Sequence, residues 1–385
     1  MPRASLKALV AGAGIGGLAT AIALRRAGYE PLVLERSETV REAGAGLLLG
    51  ANAAAALRLL GLHRAVSSLG VPTTAGILRD PSGNTLASLR LPPGKERLGC
   101  DSVAVSRSDL LAALLAEAGE GSVITGQRVI GLRREAGGVA ALLADGTVER
   151  GRILVGADGL RSAVRAALHG DHPPRYAGYT AWRGVAEGAK GLVPRGAGLE
   201  VWGRGARFGC VYIGGGRVYW FATRNAPEGG SDAPGKSRER LLGMFGGWCE
   251  PVGLLIRTTP ETGIRRDGIH DRDPLLRWGR GPVTLLGDAA HPMTPNLGQG
   301  AGQALVDAAA LGEALARNPG PERALRDYER RRALPSAALV LASRLAGVAG
   351  QSESKALIRL RDSAFSGAPD LLRRKQLERM LGYGG

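Results

Sequence analysis

Leu285-Leu286-Gly287-Asp288-Ala289-Ala290-His291-Pro292-Met293-Thr294-Pro295-Asn296-Leu297-Gly298-Gln299-Gly300-Ala301-Gly302-Gln303-Ala304-Leu305-Val306-Asp307-Ala308 is the stretch around which the chain is organised. It reads as the end of a buried strand (Val283 to Leu286), a polar loop, a glycine-rich turn and a helix over about 299–316. Pro292 and Pro295 stiffen the loop and exclude helix from it. Gly298, Gly300 and Gly302 let the backbone come close to a flat or bulky partner. The helix aims its free N–H groups and the positive end of its dipole at that partner. Asp288 sits at the carboxyl end of the strand, where open α/β sheets bind ligands. The stretch is therefore a candidate cradle for a polar, electron-accepting ligand.

The N-terminus carries a second cradle. An apolar strand, Leu6 to Ala11, runs into Gly12-Ala13-Gly14-Ile15-Gly16-Gly17, which contains G-x-G-x-x-G at Gly12, Gly14 and Gly17. A helix follows from Leu18 to Ala27, then a strand from Pro31 to Leu34 that ends in Glu35. Strand, glycine turn, helix, strand and a following acid form the dinucleotide fingerprint in its proper context. The first glycine makes the turn, the second admits a pyrophosphate and the third lets helix and strand pack. Glu35 is placed for ribose hydroxyls and repels a 2′-phosphate. This motif does not separate NAD from FAD. The glycines also argue against reading Leu6 to Leu24 as a signal peptide.

A Gly-Ala-Gly turn (Gly44 to Gly46) precedes an alanine-rich helix over 52–61, and Ser106 caps a helix filled by Leu110 to Ala118. Arg107 at the start of that helix is a cation at a positive dipole end, which calls for a nearby anion. Val123 to Leu132 and Ala140 to Leu143 read as strands, with a turn signal at Asp145-Gly146. A third strand–turn–helix unit spans Ile153 to Arg165, with Asp158-Gly159 at its turn and Ser162 opening its helix. Nine of the 16 aromatic residues then fall between 175 and 222, which marks a change of texture. Alternation there predicts antiparallel strands, with 207–213 and 217–222 pairing across Gly214-Gly215-Gly216. Residues 234–249 read as a helix. The segment from 320 to 350 reads as helices broken near Pro335. The fold class is α/β: a Rossmann-like domain interleaved with a smaller antiparallel sheet, and helices at the C-terminal end. The division predicted is 1–72, 100–171 and 280–320 for the first domain, 73–99 and 172–279 for the second, and 321–385 for the helical segment.

Composition narrows the classes. The net charge of +16 raises nucleic-acid binding first. Yet the arginines are scattered, and the densest groups, Arg330-Arg331-Arg332 and Arg373-Arg374-Lys375, lack interleaved aromatics. No nucleic-acid partner is expected; the charge suits attraction of an anionic substrate and cofactor. Cys100, Cys210 and Cys249 form no CxxC pair, and the five histidines have no metal-ligand spacing, so no metal is expected. No apolar run reaches the ~18 residues of a membrane span, so membrane contact is not expected and a reducing cytoplasm fits.

The three motifs, in this order, make the chain resemble the FAD-dependent aromatic hydroxylases, the single-component flavoprotein monooxygenases. Arg175-Tyr176-Ala177-Gly178-Tyr179 and the Pro295 to Gly300 turn look most like urate hydroxylases and zeaxanthin epoxidases. The resemblance implies FAD as cofactor, NADH or NADPH as a transient co-substrate, and a monomer or homodimer. It implies that Gly12, Gly14, Ile15 and Gly17 cradle the pyrophosphate and that Glu35 and Arg36 serve the adenosine ribose. Arg107 would reach the pyrophosphate and Val129 the adenine. Asp158 would belong to the motif shared by FAD and the nicotinamide nucleotide, and Asp288 would hold the ribityl chain. Gly46, Pro295, Leu297, Gly298, Gly300 and Ala301 would line the flavin. Arg207 and Tyr219 match catalytic positions facing flavin and substrate; the residues alone also allow an ordinary strand arginine and a packed tyrosine. The activity implied is oxygenation, with O2, of an electron-rich aromatic, heteroaromatic or polyene small molecule through a flavin C4a-hydroperoxide. Asn296 and Gly300-Ala301-Gly302 depart from the urate enzymes, which have Asp and Gly-Gly-Cys there, and so put urate in doubt. The rival readings are a flavin reductase or dehydrogenase that does not oxygenate, and a non-catalytic flavin-binding protein.

Overall fold

The computed structural model describes residues 6–40, 46–62, 68–90 and 98–367. Gly44 of the Gly-Ala-Gly turn and the basic group Arg373-Arg374-Lys375 lie outside them. The first sheet is parallel, in the order Val283–Leu285, Ile153–Gly156, Lys7–Ala11, Glu30–Leu34 and Val123–Ile124. Its strands are short apolar runs buried on both faces, as expected where helices cover a parallel sheet. The helices Ile15–Arg26 and Gly300–Arg317 pack on each other over this sheet. Four neighbouring strands therefore end side by side, and the loops at their carboxyl ends carry Gly12, Glu35, Asp158 and Asp288.

Two glycines make the first loop possible. Gly12 has φ +97°, and a Cβ there would lie 2.6 Å from the carbonyl oxygen of Ala157. A Cβ on Gly17 would overlap the carbonyl oxygen of Gly12. At Gly14 a Cβ would meet nothing within 4 Å, because it points into a cavity.

The second sheet has the order Arg265–Asp271, Arg175–Ala186, Arg217–Asn225, Ala206–Gly214, Ala197–Trp202, Ala75–Arg79 and Thr85–Arg90. Its central hairpin divides its side chains between two faces. Phe208, Cys210 and Tyr212 face Ala222, Trp220 and Val218 across the hairpin and bury one face against the helices Ser237–Phe245 and Val252–Thr258. The opposite face carries the cross-strand pairs Arg207–Thr223, Gly209–Phe221 and Val211–Tyr219. That face turns toward the first sheet.

Three expectations are corrected. The helix Pro321–Gly350 runs unbroken through Pro335. Pro335 and Arg331, whose carbonyl loses its donor, both lie on the exposed side, where water replaces the missing bond. The helix expected over 234–249 ends at Phe245, where Gly246 and Gly247 follow, and a second short helix starts beyond Pro251. The strand expected from Val123 to Leu132 is split: Val123–Ile124 joins the parallel sheet and Val129–Glu135 a small antiparallel one. Gly126, at φ +70°, makes the turn between them.

The long C-terminal helix bridges the two sheets. Asp271, wholly buried, accepts two bonds from Arg175 at 2.8 Å each and two from Arg344 at 2.7 and 3.2 Å. Arg344 lies on the long helix and Asp271 on the second sheet, so this ion pair ties the two together, with Arg175 as the second partner of the buried carboxylate.

Gly14→Ala and Gly17→Ala separate the two glycine roles. The Gly17 variant forces helix and turn apart, a misfit of about 1–3 kcal/mol or more, and should lower both the melting temperature of the flavin-free protein and FAD binding. The Gly14 variant should leave that melting temperature unchanged and weaken FAD binding alone. Thermal unfolding and flavin titration check both.

Candidate active site

The carboxyl ends of the parallel strands wall a cavity of about 360 Å³. Gly12, Gly14, Ile15, Glu35, Arg36, Arg107, Val129, Asp158, Asp288, Gly300 and Ala301 all line it. Gly17 does not; it is set back against Gly12 and shapes the turn from behind. Glu35 closes one end. Its carboxylate accepts the N–H of Ala13 at 2.7 Å and that of Ser37 at 2.9 Å, which ties the glycine turn to the next strand. Asp158 works in the same way on the third motif: it accepts from the Ser162 hydroxyl and from the N–H of Ala163 at 2.7 Å, and so caps the helix Ala163–His169. Burial pushes its carboxyl up, and these bonds oppose the shift.

Two helices open on the cavity without such a cap. Ile15–Arg26 and Gly300–Arg317 have no side-chain cap bond and no acid in the first turn. By contrast, Ser106 caps Arg107–Ala118 by accepting from Asp109 N–H at 3.4 Å. The uncapped N–H groups and dipole ends suit an anionic or electron-rich ligand.

A second cavity, about 740 Å³, adjoins the first. Arg107, Asp288, Gly300 and Ala301 belong to both walls. Asp288 is deep in the protein yet open to the cavity. That deep setting pushes its carboxyl up, while His291 and Arg107 pull it down. Burial lowers the Arg107 guanidinium, and Asp288 counters this. Gly46, Pro295, Leu297 and Gly298 also line the second cavity. The turn Pro295–Leu297 ends at Gly298, whose φ of +62° turns the chain back toward the helix.

The second sheet supplies the far wall through Arg207, Tyr219, Phe221, Thr223, Arg183 and Asp267. Arg207 is only 2% exposed. It donates to Gln351 Oε1 at 3.1 Å and to Asn296 Oδ1, and lies 5.6 Å from the ring centroid of Trp202. Both hydrogen-bond partners are neutral amides. Asn296 accepts from Tyr179 as well, at 3.2 Å, and its amide donates at 2.8 Å to Thr294 Oγ1 and to the Ser343 carbonyl. Tyr219 packs so closely on Gly46 that a Cβ there would lie 2.5 Å from the tyrosine Cβ. Burial pushes the Tyr219 hydroxyl up, against the pull of Arg183 and Arg107. Arg183 is paired with Asp267 at 3.0 Å. Trp182 and Tyr212 are buried in the core of the opposite sheet face.

Sequence reasoning missed Arg183, Asp267 and Gln351. The first two alternate correctly on their strands and could have been found. Gln351 carries no local signal, since it follows the end of the long helix and meets Arg207 only by packing.

A Rossmann-type sheet with two uncapped helix N-termini, continuous with a walled second cavity, defines a dinucleotide-binding oxidoreductase. The chain matches the family described as FAD binding domain over residues 5–191 and 267–343. It is 42% identical over 352 residues to the aurachin C monooxygenase/isomerase of Stigmatella aurantiaca, covering 91% of each chain. It is 36% identical over 341 residues to the FAD-dependent urate hydroxylase of Klebsiella pneumoniae, covering 88% of this chain and 89% of that one. The structure of Klebsiella pneumoniae HpxO complexed with FAD and uric acid superposes with a TM-score of 0.92 at 32% identity, over 98% of this chain and 97% of that one. The chain belongs to the FAD-dependent aromatic hydroxylase family; it is a flavoprotein monooxygenase with FAD as its cofactor.

Glu35→Ala removes an acceptor at the cavity end and frees the Ala13 N–H. FAD affinity of the flavin-free protein, followed by flavin fluorescence, should fall about ten- to a hundredfold, or roughly 1.5–3 kcal/mol for bonds to a charged group. Glu35→Gln should fall between the variant and the parent.

Proposed function

We propose that this monooxygenase uses NADH or NADPH and O2 to hydroxylate an electron-rich aromatic or heteroaromatic small molecule held in the 740 Å³ cavity. The observation that carries this reading is the shared wall. Arg107, Asp288, Gly300 and Ala301 border both cavities, so a ligand in the second lies against the end of the first. The cavity falls within the ~300–1,000 Å³ typical of sites for drug-sized ligands.

In this reading the uncapped N-terminus of Ile15–Arg26, with Gly14 open beneath it, takes the pyrophosphate of FAD. Glu35 takes the ribose hydroxyls, Asp288 the ribityl hydroxyls, and Val129 borders the adenine. Gly298, Gly300 and Ala301 border the isoalloxazine. Bound FAD supplies the reducing and oxygen-activating chemistry. The chain's part is orientation and electrostatics. The N-terminus of Gly300–Arg317 favours negative charge beside it. Arg207, buried between two amides, offers a cation to an acidic or oxygen-rich substrate edge. The Tyr219 hydroxyl, held protonated by its burial, donates a hydrogen bond or gives a ring to stack on. The apolar side chains of Leu47, Ile269, Met293 and Phe221 narrow the second cavity and limit water around the substrate.

A compound of the kind acted on by the aurachin C relative is favoured over uric acid. The identity to that relative is 42% against 36% to the urate hydroxylase. Asn296 also replaces the aspartate expected of a urate enzyme, so Arg207 meets an amide where a carboxylate would neutralise it.

Purified protein should be yellow and release FAD on denaturation. NADH or NADPH oxidation should be stimulated by members of a panel of aurachin C, phenols, hydroxypyridines and purines, with one oxygen atom gained by the product in mass spectrometry. Oxidation without oxygenated product from any of them would overturn this reading. Arg207→Ala should keep FAD and divert reducing equivalents into hydrogen peroxide. Paired measurement of nicotinamide consumed, product formed and peroxide released checks this.

A further inference from the structure

Beneath the Gly287–Ala289 turn, on the side away from both cavities, lies a carboxylate with no access to solvent, Asp307. Its Oδ2 accepts the backbone N–H of Gly287 at 3.0 Å and His291 Nε2 at 2.6 Å. Its Oδ1 accepts Arg332 Nε at 2.6 Å. Burial alone would push this carboxyl up; His291 and Arg332 instead hold it at about 2. A carboxylate only accepts, so His291 Nε2 carries a proton. His291 is 2% exposed, and its Nδ1 has no hydrogen-bond partner among the described residues. The ring's one polar tie is therefore Asp307. Its other contact is a tilted packing on Trp278, with ring centroids 5.3 Å apart.

The same turn is held from its carbonyl side. Arg165 donates to the carbonyls of Ala289 at 3.2 Å and Ala290 at 2.9 Å. Gly287 sits at φ +58°. The backbone from Gly287 to His291 is thus gripped by groups of both signs, and the Asp288 side chain is left to project into the cavities. Neither His291 nor Asp307 lines either cavity.

We infer that His291 and Asp307 are positioning residues that set the Asp288 carboxylate against the cofactor. The inference rests on the reading of Asp288 as a ligand of FAD. A clamp of this kind differs from simple packing between the helices Gly300–Arg317 and Pro321–Gly350, because its effect on the cofactor must pass through Asp288.

A double-mutant cycle on the flavin-free protein, read by FAD titration, separates the two. His291→Phe keeps a ring on Trp278 and removes the N–H; it should weaken FAD binding about tenfold, the scale of losing a bond to a buried charge. His291→Gln restores an N–H donor and should recover affinity to within about threefold of the parent. Asp307→Asn removes the charge and replaces one accepting oxygen by an NH2 group that faces a donor, and should weaken binding at least as much as His291→Phe. In an Asp288→Ala background, His291→Phe should change nothing further. If His291→Phe fails to fold, as judged by circular dichroism, His291→Asn replaces it, since its short amide falls short of Asp307. An unchanged affinity in the single histidine variant overturns the inference. So does the same tenfold loss in both backgrounds, which would mark a packing role. Asp288→Ala alone reports on the underlying reading: unchanged FAD affinity there removes Asp288 as a ligand, whatever the histidine variants show.

Discussion

The unsatisfied N–H groups at the start of two helices are the constraint to which the rest of this structure answers. Every α-helix begins with donors that have no partner within the helix. Here Arg107–Ala118 and Ala163–His169 resolve the problem internally, through Ser106, Ser162 and Asp158. Ile15–Arg26 and Gly300–Arg317 do not, and both open onto the cavity at the carboxyl ends of the parallel strands. A helix start left uncapped in the interior is costly unless something else supplies acceptors. Both helix starts therefore suit a ligand that carries negative charge or acceptors, as FAD does in its diphosphate. Gly12 and Gly17 serve the same end by bringing the first helix hard against the turn, leaving Gly14 clear.

The second sheet is joined to this machinery through the C-terminal helix. Asn296 has all four of its side-chain hydrogen bonds made: two accepted, from Tyr179 and Arg207, and two donated, to Thr294 and Ser343. One amide therefore locks the Pro295–Leu297 loop, the second sheet and the long helix together. Asp271 repeats the lock with charge, between Arg175 and Arg344. Close packing enforces the first of these locks. A Cβ on Gly347 would come within 2.6 Å of the Asn296 amide, and one on Gly350 within 2.9 Å of Arg207. The position of Arg207 over the second cavity is thus set by contacts from three separate parts of the chain. Such over-determination holds a buried cation in place without an ion-pair partner among the described residues.

Local chemistry was legible in the sequence. Glycine spacing, the acid after the second strand, and the prolines before the last glycine turn identified both helix N-termini and the family. Alternation along each strand of the hairpin is equally local, since it puts Tyr219 and Phe221 on one side of the second strand whatever the tertiary packing. Backbone stereochemistry and short-range hydrogen bonding decide these features within a few residues, so a sequence carries them openly. What tertiary structure alone decided is which face of that hairpin meets the cavity, and which distant residues complete the site. Gln351 and Asn296 lie 144 and 89 residues from the Arg207 they hold. Pro335 shows the same limit from the other side. Its sequence signal is to break a helix, yet the helix passes through, because packing of the inner face outweighs one bond lost to solvent. Periodicity has no reach across such separations; only the packing of the long helix against both sheets brings these groups together.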